Sequence, residues 1–234
     1  MNPPFFIALD MTDAPKAAEL AARLRGQVGG LKLGLEFFSA NGPSGVRQVV
    51  QGGDRLFLDL KLHDIPNTVA GAVRAVAPLS PYLLTIHASG GADMMRAALE
   101  AAGEAATKLG KPRAKLIAVT VLTSMADADL TDVGQRGPML DQVRRLALLA
   151  RKGGLDGVVC SPHEVAALRG ECGPDFLIVV PGIRPSWAAA GDQKRVMTPG
   201  EAMRAGATYM VIGRPITGAG NPADAARQVA AELQ

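Results

Sequence analysis

Residues 56–69 read LFLDLKLHDIPNTV. Leu58, Leu60 and Leu62 alternate with Asp59 and Lys61, the two-residue period of a strand, and Pro66 stands where a helix can begin but a strand cannot easily continue. Asp59, Lys61 and His63 thus fall on one face and the leucines on the other. A strand that only filled a core would not carry Asp59, Lys61, His63 and Asp64 so close together, because burying ionisable groups is costly. These residues need a use.

Seven further short apolar runs have the same character: residues 5–9, 30–35, 83–88, 115–122, 156–160, 176–183 and 207–216. Segments with helical periodicity lie between them, including those starting at Asp13, Gly90 and Pro138. Pro15, Pro66, Pro162 and Pro199 mark helix starts, while Gly26, Gly110, Gly153 and Gly206 follow helix ends. Eight strand–helix units in 234 residues predict an α/β protein folded as one (β/α)8 (TIM) barrel domain spanning residues 1–234. An open doubly wound sheet would give the same local signals and differ only in closure. The longest irregular piece, residues 123–137 after the fifth strand, has the length of a functional or mobile loop.

The composition is 48% hydrophobic, 20% charged and 4% aromatic, which suits a globular α/β chain and not a disordered one. A formal charge of +3, spread along the chain, gives no basic stripe for nucleic acid and fits a small anionic ligand better. No window approaches the roughly 20 apolar residues of a membrane span, and the N-terminus lacks the pattern of a signal peptide. Cys160 and Cys172 form no CxxC and have no histidine at zinc-ligand spacing, so a reducing cytoplasm without a disulfide framework or structural metal is expected.

In a barrel, catalytic groups sit at the C-terminal ends of the strands, which is where Asp59, Lys61 and Asp64 fall. Asp10 ends the first strand and Lys32 lies on the second, so the same rim would carry alternating charges. Neighbouring carboxylates favour an ammonium at Lys61, which reads as a proton donor rather than a Schiff-base nucleophile. A buried ion pair of purely structural role is the plainer alternative. The seventh strand runs into VVPGIRP, residues 179–185, and the eighth into VIGRPITGAG, residues 211–220. Barrels often bind phosphate at these two loops; Gly213 would admit an anion close to the backbone, and Arg184 and Arg214 could grip it. Neither a P-loop nor GxGxxG is present. His63, His87 and His163 read as scaffold or surface groups, and Cys160, Met94 and Met95 as packed side chains.

The motifs DLKLHDIPNT (59–68), ALD ending at Asp10, KLG from Lys32, VTVLTS ending at Ser124, PGIRP from Pro181 and GRPI from Gly213 together resemble the bacterial orotidine 5′-phosphate decarboxylase family over essentially the whole chain. The resemblance implies a cytoplasmic, metal-free and cofactor-free decarboxylase of pyrimidine biosynthesis acting on orotidine 5′-phosphate (OMP). Lys61 would protonate C6 of the pyrimidine beside Asp59. Asp64 and Thr68 would be supplied across a homodimer interface. Asp10 and Lys32 would contact the ribose, and Thr123 and Ser124 the pyrimidine. Arg184, Gln193, Gly213 and Arg214 would surround the phosphate, with Gln193 on a closing loop, and Pro181 would be a further substrate-binding residue. Mg2+-dependent phosphosugar enzymes on the same barrel share a D-x-K-x-x-D signature and stand as the nearest alternative. A silent phosphate-binding sensor and a Schiff-base aldolase are more distant ones.

Overall fold

Eight parallel strands close on themselves in sequence order, each hydrogen-bonded to the next and β8 to β1. They are β1 (Phe5–Ala8), β2 (Gly30–Gly34), β3 (Leu56–Leu62), β4 (Leu83–His87), β5 (Lys115–Val119), β6 (Gly157–Val159), β7 (Leu177–Val180) and β8 (Tyr209–Ile212). The structure, a computed structural model, describes residues 3–188 and 197–233. Each expected strand is found, and closure decides for the barrel over the open sheet.

The helices start where the chain supplies partners for their free N–H groups. Asp13 caps α1 (Ala14–Leu24) by accepting from the backbone N–H of Lys16 at 2.9 Å, and Pro66 opens α3 (Pro66–Val76), where no N–H is needed. Between them runs α2 (Leu35–Val49), kinked at Gly42 before Pro43. After β4 comes α4 (Gly91–Leu109), ended by Gly110 in the left-handed conformation. The segment 123–137, expected to be irregular, contains the short helix α5 (Asp127–Asp132); six residues are too few to show a period in sequence. The ring continues with α6 (Met139–Lys152) and α7 (Val165–Cys172), and ends with α8 (Pro199–Ala205), α9 (Arg214–Thr217) and α10 (Pro222–Ala231). No helix among the described residues is long and apolar enough to cross a membrane.

The two faces of the strands build two cores. Outward residues such as Phe5, Ile7, Leu58, Leu84 and Met210 pack against the helices. Inward residues alone make the second cluster, Phe6, Ala8, Phe57, Leu83, Ile117, Val179 and Val211. Gly30 makes room for it, since a Cβ there would lie 2.5 Å from the Phe6 ring.

Climbing each strand two residues at a time gives the inward layers. β8 goes from Tyr209 to Val211 to Gly213 and β1 from Phe6 to Ala8 to Asp10, while β3 goes from Phe57 to Asp59 and reaches Lys61 past an irregularity. Aromatic groups close the N-terminal end, aliphatic ones fill the middle, and charged or small residues reach the C-terminal mouth. At the closed end the Arg55 guanidinium lies 3.6 Å from the centre of the Tyr82 ring and donates to the Tyr209 hydroxyl at 3.2 Å. The two tyrosine hydroxyls share a 2.7 Å hydrogen bond. Burial and that bond push the Tyr82 phenol up to about 12.

Candidate active site

A cavity of about 300 Å³ opens at the C-terminal mouth. Its floor is apolar, made by Ala8, Phe57, Val159, Val179 and Val211. One wall carries Asp10, Lys32, Asp59 and Lys61; Pro181, Arg184, Gly213 and Arg214 stand on β7 and β8 loops, and Thr123 lines it after β5.

The charged wall is continuous. Lys32 Nζ donates to Asp10 Oδ1 at 2.8 Å and lies 3.7 Å from Asp59 Oδ2, which accepts from Lys61 Nζ at 2.8 Å. Signs alternate along the row, so every charge has an opposite neighbour and none is buried alone. Burial raises the Asp59 pKa, but the Lys32 and Lys61 ammonium groups, with hydrogen bonds from Lys61 and Thr85, outweigh it and hold the carboxyl below its ordinary value. Asp59 is therefore ionised at neutral pH. Gly34 leaves space for the row: a Cβ there would come 3.2 Å from Lys32 Nζ and 3.5 Å from Asp10 Oδ1.

Lys61 reaches this row through a break in strand regularity. Its φ is +50°, in the left-handed region that a side chain rarely adopts, and between Leu58 and Leu62 β3 advances four residues while β4 advances two, from Leu84 to Ile86. Plain alternation does not describe this stretch. The displaced N–H of Lys61 finds the Thr85 hydroxyl at 2.9 Å, and that hydroxyl donates to Asp59 Oδ1 at 2.8 Å. Thr85 and Gly34 were not singled out from sequence. Thr85 has no local signal, because its partners are 24 and 26 residues away.

On the side of the cavity built by β7 and β8, Gly182 takes a φ of +76° that favours glycine, and it carries the chain from Pro181 to the buried Arg184. Arg184 donates to the Ile183 carbonyl at 3.2 Å. Gly213 caps the short helix α9, which begins with the exposed Arg214. A Cβ at Gly213 would meet only Ala8, at an ordinary 3.5 Å, so packing within the chain does not demand glycine there.

Nine of the expected site residues therefore line one cavity: Asp10, Lys32, Asp59, Lys61, Thr123, Pro181, Arg184, Gly213 and Arg214; Ser124 is exposed immediately beside Thr123 but is not in the lining. Asp64 and Thr68 are exposed and stand away from the cavity of their own chain, with Asp64 Oδ1 accepting from the Ile65 N–H at 2.6 Å. Gln193 lies outside the described residues. His63 and His87 stack with ring centres 5.4 Å apart beside the charged row. Burial, His63 and Lys61 lower the His87 pKa, against an opposing pull from Asp59, which favours a neutral ring. Cys160 and Cys172 are buried and unbridged, and His163 is exposed. Among the described residues, no group of three or more His, Cys, Asp or Glu is placed to hold a metal ion.

Residues 3–229 match the model of the Orotidine 5'-phosphate decarboxylase / HUMPS family. A curated orotidine 5'-phosphate decarboxylase of Rhodospirillum rubrum is 61% identical, with 98% of this chain and 94% of the relative covered. One from Paramagnetospirillum magneticum is 57% identical, with 98% of each covered. The crystal structure of the orotidine 5'-phosphate decarboxylase from Lactobacillus acidophilus superposes with a TM-score of 0.86 at 37% identity, covering all of both chains. Barrel, charged row and near-full-length likeness agree: the chain belongs to the Orotidine 5'-phosphate decarboxylase / HUMPS family.

Proposed function

We propose that this chain is an orotidine 5′-phosphate decarboxylase, a carboxy-lyase that converts OMP to UMP and CO2 in pyrimidine nucleotide synthesis in the cytoplasm. The observation that carries the reading is the row Asp10–Lys32–Asp59–Lys61 on one wall of a cavity whose other wall holds Arg184, Gly213 and Arg214. A nucleoside monophosphate has the matching layout, with an anion at one end and the reacting ring at the other.

In this reading the phosphate lies between Arg184 and Arg214, the ribose meets Asp10 and Lys32, and the pyrimidine rests over the apolar floor beside Thr123 and Ser124. The bond from C6 to the carboxylate breaks and its electron pair stays on C6. Lys61 stabilises that charge as an ammonium and gives its proton to the same carbon. CO2 leaves, UMP remains, and the neutral amine regains a proton from water. Asp59 holds Lys61 in place and sets a negative charge near the departing carboxylate, a stress relieved as CO2 forms. A barrier reduction of roughly 20 kcal/mol, toward the upper part of the enzyme range, requires contributions from the remote phosphate contacts as well, Gln193 among them. The exposed Asp64 and Thr68 suit groups delivered to the cavity of a second copy in a homodimer.

The test is the ultraviolet absorbance change of OMP with purified protein in EDTA, beside Lys61→Ala. Wild-type turnover is expected to persist in EDTA, and the variant to lose at least about 10³-fold in kcat/KM, as removal of a proton donor and its charge implies. Absence of turnover by folded wild-type protein would discard the pyrimidine reading and favour a Mg2+-dependent phosphosugar reaction.

A further inference from the structure

Thr85 is fully buried, yet the partners of its hydroxyl belong to the neighbouring strand. The backbone N–H of Lys61 donates to Oγ1, and a backbone N–H can do nothing else. The single hydroxyl proton is therefore committed to Asp59 Oδ1. This direction suits an ionised carboxylate, which only accepts. The other oxygen, Oδ2, is held by the Lys61 ammonium, with Lys32 3.7 Å away. Both oxygens of Asp59 are thus fixed from opposite sides, and the backbone of Lys61 is tied to the same hydroxyl that fixes one of them.

We propose that Thr85 is a positioning residue for the reaction: its hydroxyl pins the irregular backbone at Lys61 and one oxygen of Asp59, which sets where the ammonium is presented above the cavity floor. This rests on the decarboxylase reading for its kinetic consequence. The geometry explains how a chain can keep Lys61 at a positive φ. The ladder hydrogen bond lost where the strand departs from β4 is replaced by one to a side chain of β4, so the N–H is not left unpaired.

A consequence for pH follows from the charges around Asp59. Lys32 faces it from β2 and Lys61 from its own strand; Asp10 lies beyond Lys32, and His87, stacked on His63, follows on β4. Without the Thr85 hydroxyl the ionised form of Asp59 loses one donor, while all the other groups stay. The acid limb of kcat/KM then moves to higher pH.

The experiment compares wild type, Thr85→Val and Thr85→Ser for kcat, KM and the pH profile on OMP, with thermal melting of each. Expected are a loss of about 10- to 100-fold in kcat for the valine variant, the range for a hydrogen bond to a charged group, with KM hardly changed. Its acid limb rises, and serine, which keeps the hydroxyl, restores both values. Wild-type kcat and an unmoved acid limb in Thr85→Val would overturn the proposal. So would an equal loss in Thr85→Ser, which would assign the effect to the methyl group. If the valine variant does not fold, Thr85→Ala carries the same two outcomes. Carbon-13 NMR titration of the Asp59 carboxyl in wild type and variant reads the pinning without turnover. An unmoved Asp59 titration overturns the role of Thr85, whereas a moved titration in a protein that does not turn over OMP supports the pinning and overturns only the reaction.

Discussion

Arg184 and Arg214 approach the same cavity from different surroundings. Arg184 is buried shortly after the end of β7, while Arg214 is exposed at the start of a four-residue helix. The planar guanidinium of Arg214 is expected to bind the phosphate as a fork, a contact made far from the reacting carbon. Arg214→Ala should reduce kcat/KM by about 10- to 100-fold, the range for one hydrogen-bonded charge, and leave the melting temperature unchanged. An unchanged kcat/KM would remove Arg214 from the phosphate site. Arginine and glycine at the ends of the last two strands were legible in sequence, because barrel geometry gives those positions a meaning. Asp59 and Lys61 were legible for another reason: charge is out of place in a strand interior. Gly34 was not, since its significance is the 3.2 Å a Cβ would leave to Lys32 Nζ. Such a distance exists only after folding.

At the scale of elements, β3 and β4 meet behind the charged wall, where Thr85 joins Lys61 and Asp59. The stacked His63 and His87 rings tie the turn after β3 to the end of β4, just before the segment that bears Asp64 and Thr68. His87 titrates below the ordinary imidazole value, so the folded state prefers its neutral form. The unfolded chain binds that proton more readily. The contribution of His87 to stability is therefore complete above the reference value of about 6.5 and is lost as pH falls through the lowered folded value. Asp59 has the same sign in a lower window, its contribution being present above 3.8 and lost as pH falls through its own lowered value. Urea unfolding at stepped pH should show the wild type weakening just below pH 6.5 and His87→Phe, which keeps a ring but no proton site, losing that step. Identical pH profiles would show that His87 does not couple protonation to folding. All eight strands were visible as apolar runs, but their ends were read too long. Residues 115–122 looked like one strand, while the ladder stops at Val119, and residues 207–216 ran on past Ile212 into α9. Apolar character continues there because Val121 and Ile216 are buried in the core beyond the ladder, and hydrophobicity alone does not register where pairing ends. The irregularity at Lys61 was hidden for the converse reason: the sequence alternates faithfully while the backbone does not.

The molecule as a whole has one polar end and one sealed end. The seal is made by Arg55, Tyr82 and Tyr209 over Phe6, and none of the four lines the cavity. Arg55→Ala removes a stacked cation and a hydrogen bond, a loss of about 2 kcal/mol. For a chain of this size that lowers the melting temperature by roughly 4–8 °C. Differential scanning calorimetry should show this with kcat/KM little altered, because Arg55 does not line the cavity. A collapse of activity at full thermal stability would instead join the seal to the chemistry. The closed barrel followed from counting strands, whereas the seal did not, since Arg55, Tyr82 and Tyr209 stand at the starts of three strands and meet only through closure. Among the described residues, that stopper turns the barrel into a vessel with one doorway. On the proposed reaction, traffic is then in series: the nucleotide, the escaping gas and the proton that restores Lys61 must all pass the same threshold, and a group closing over the phosphate would time every one of them.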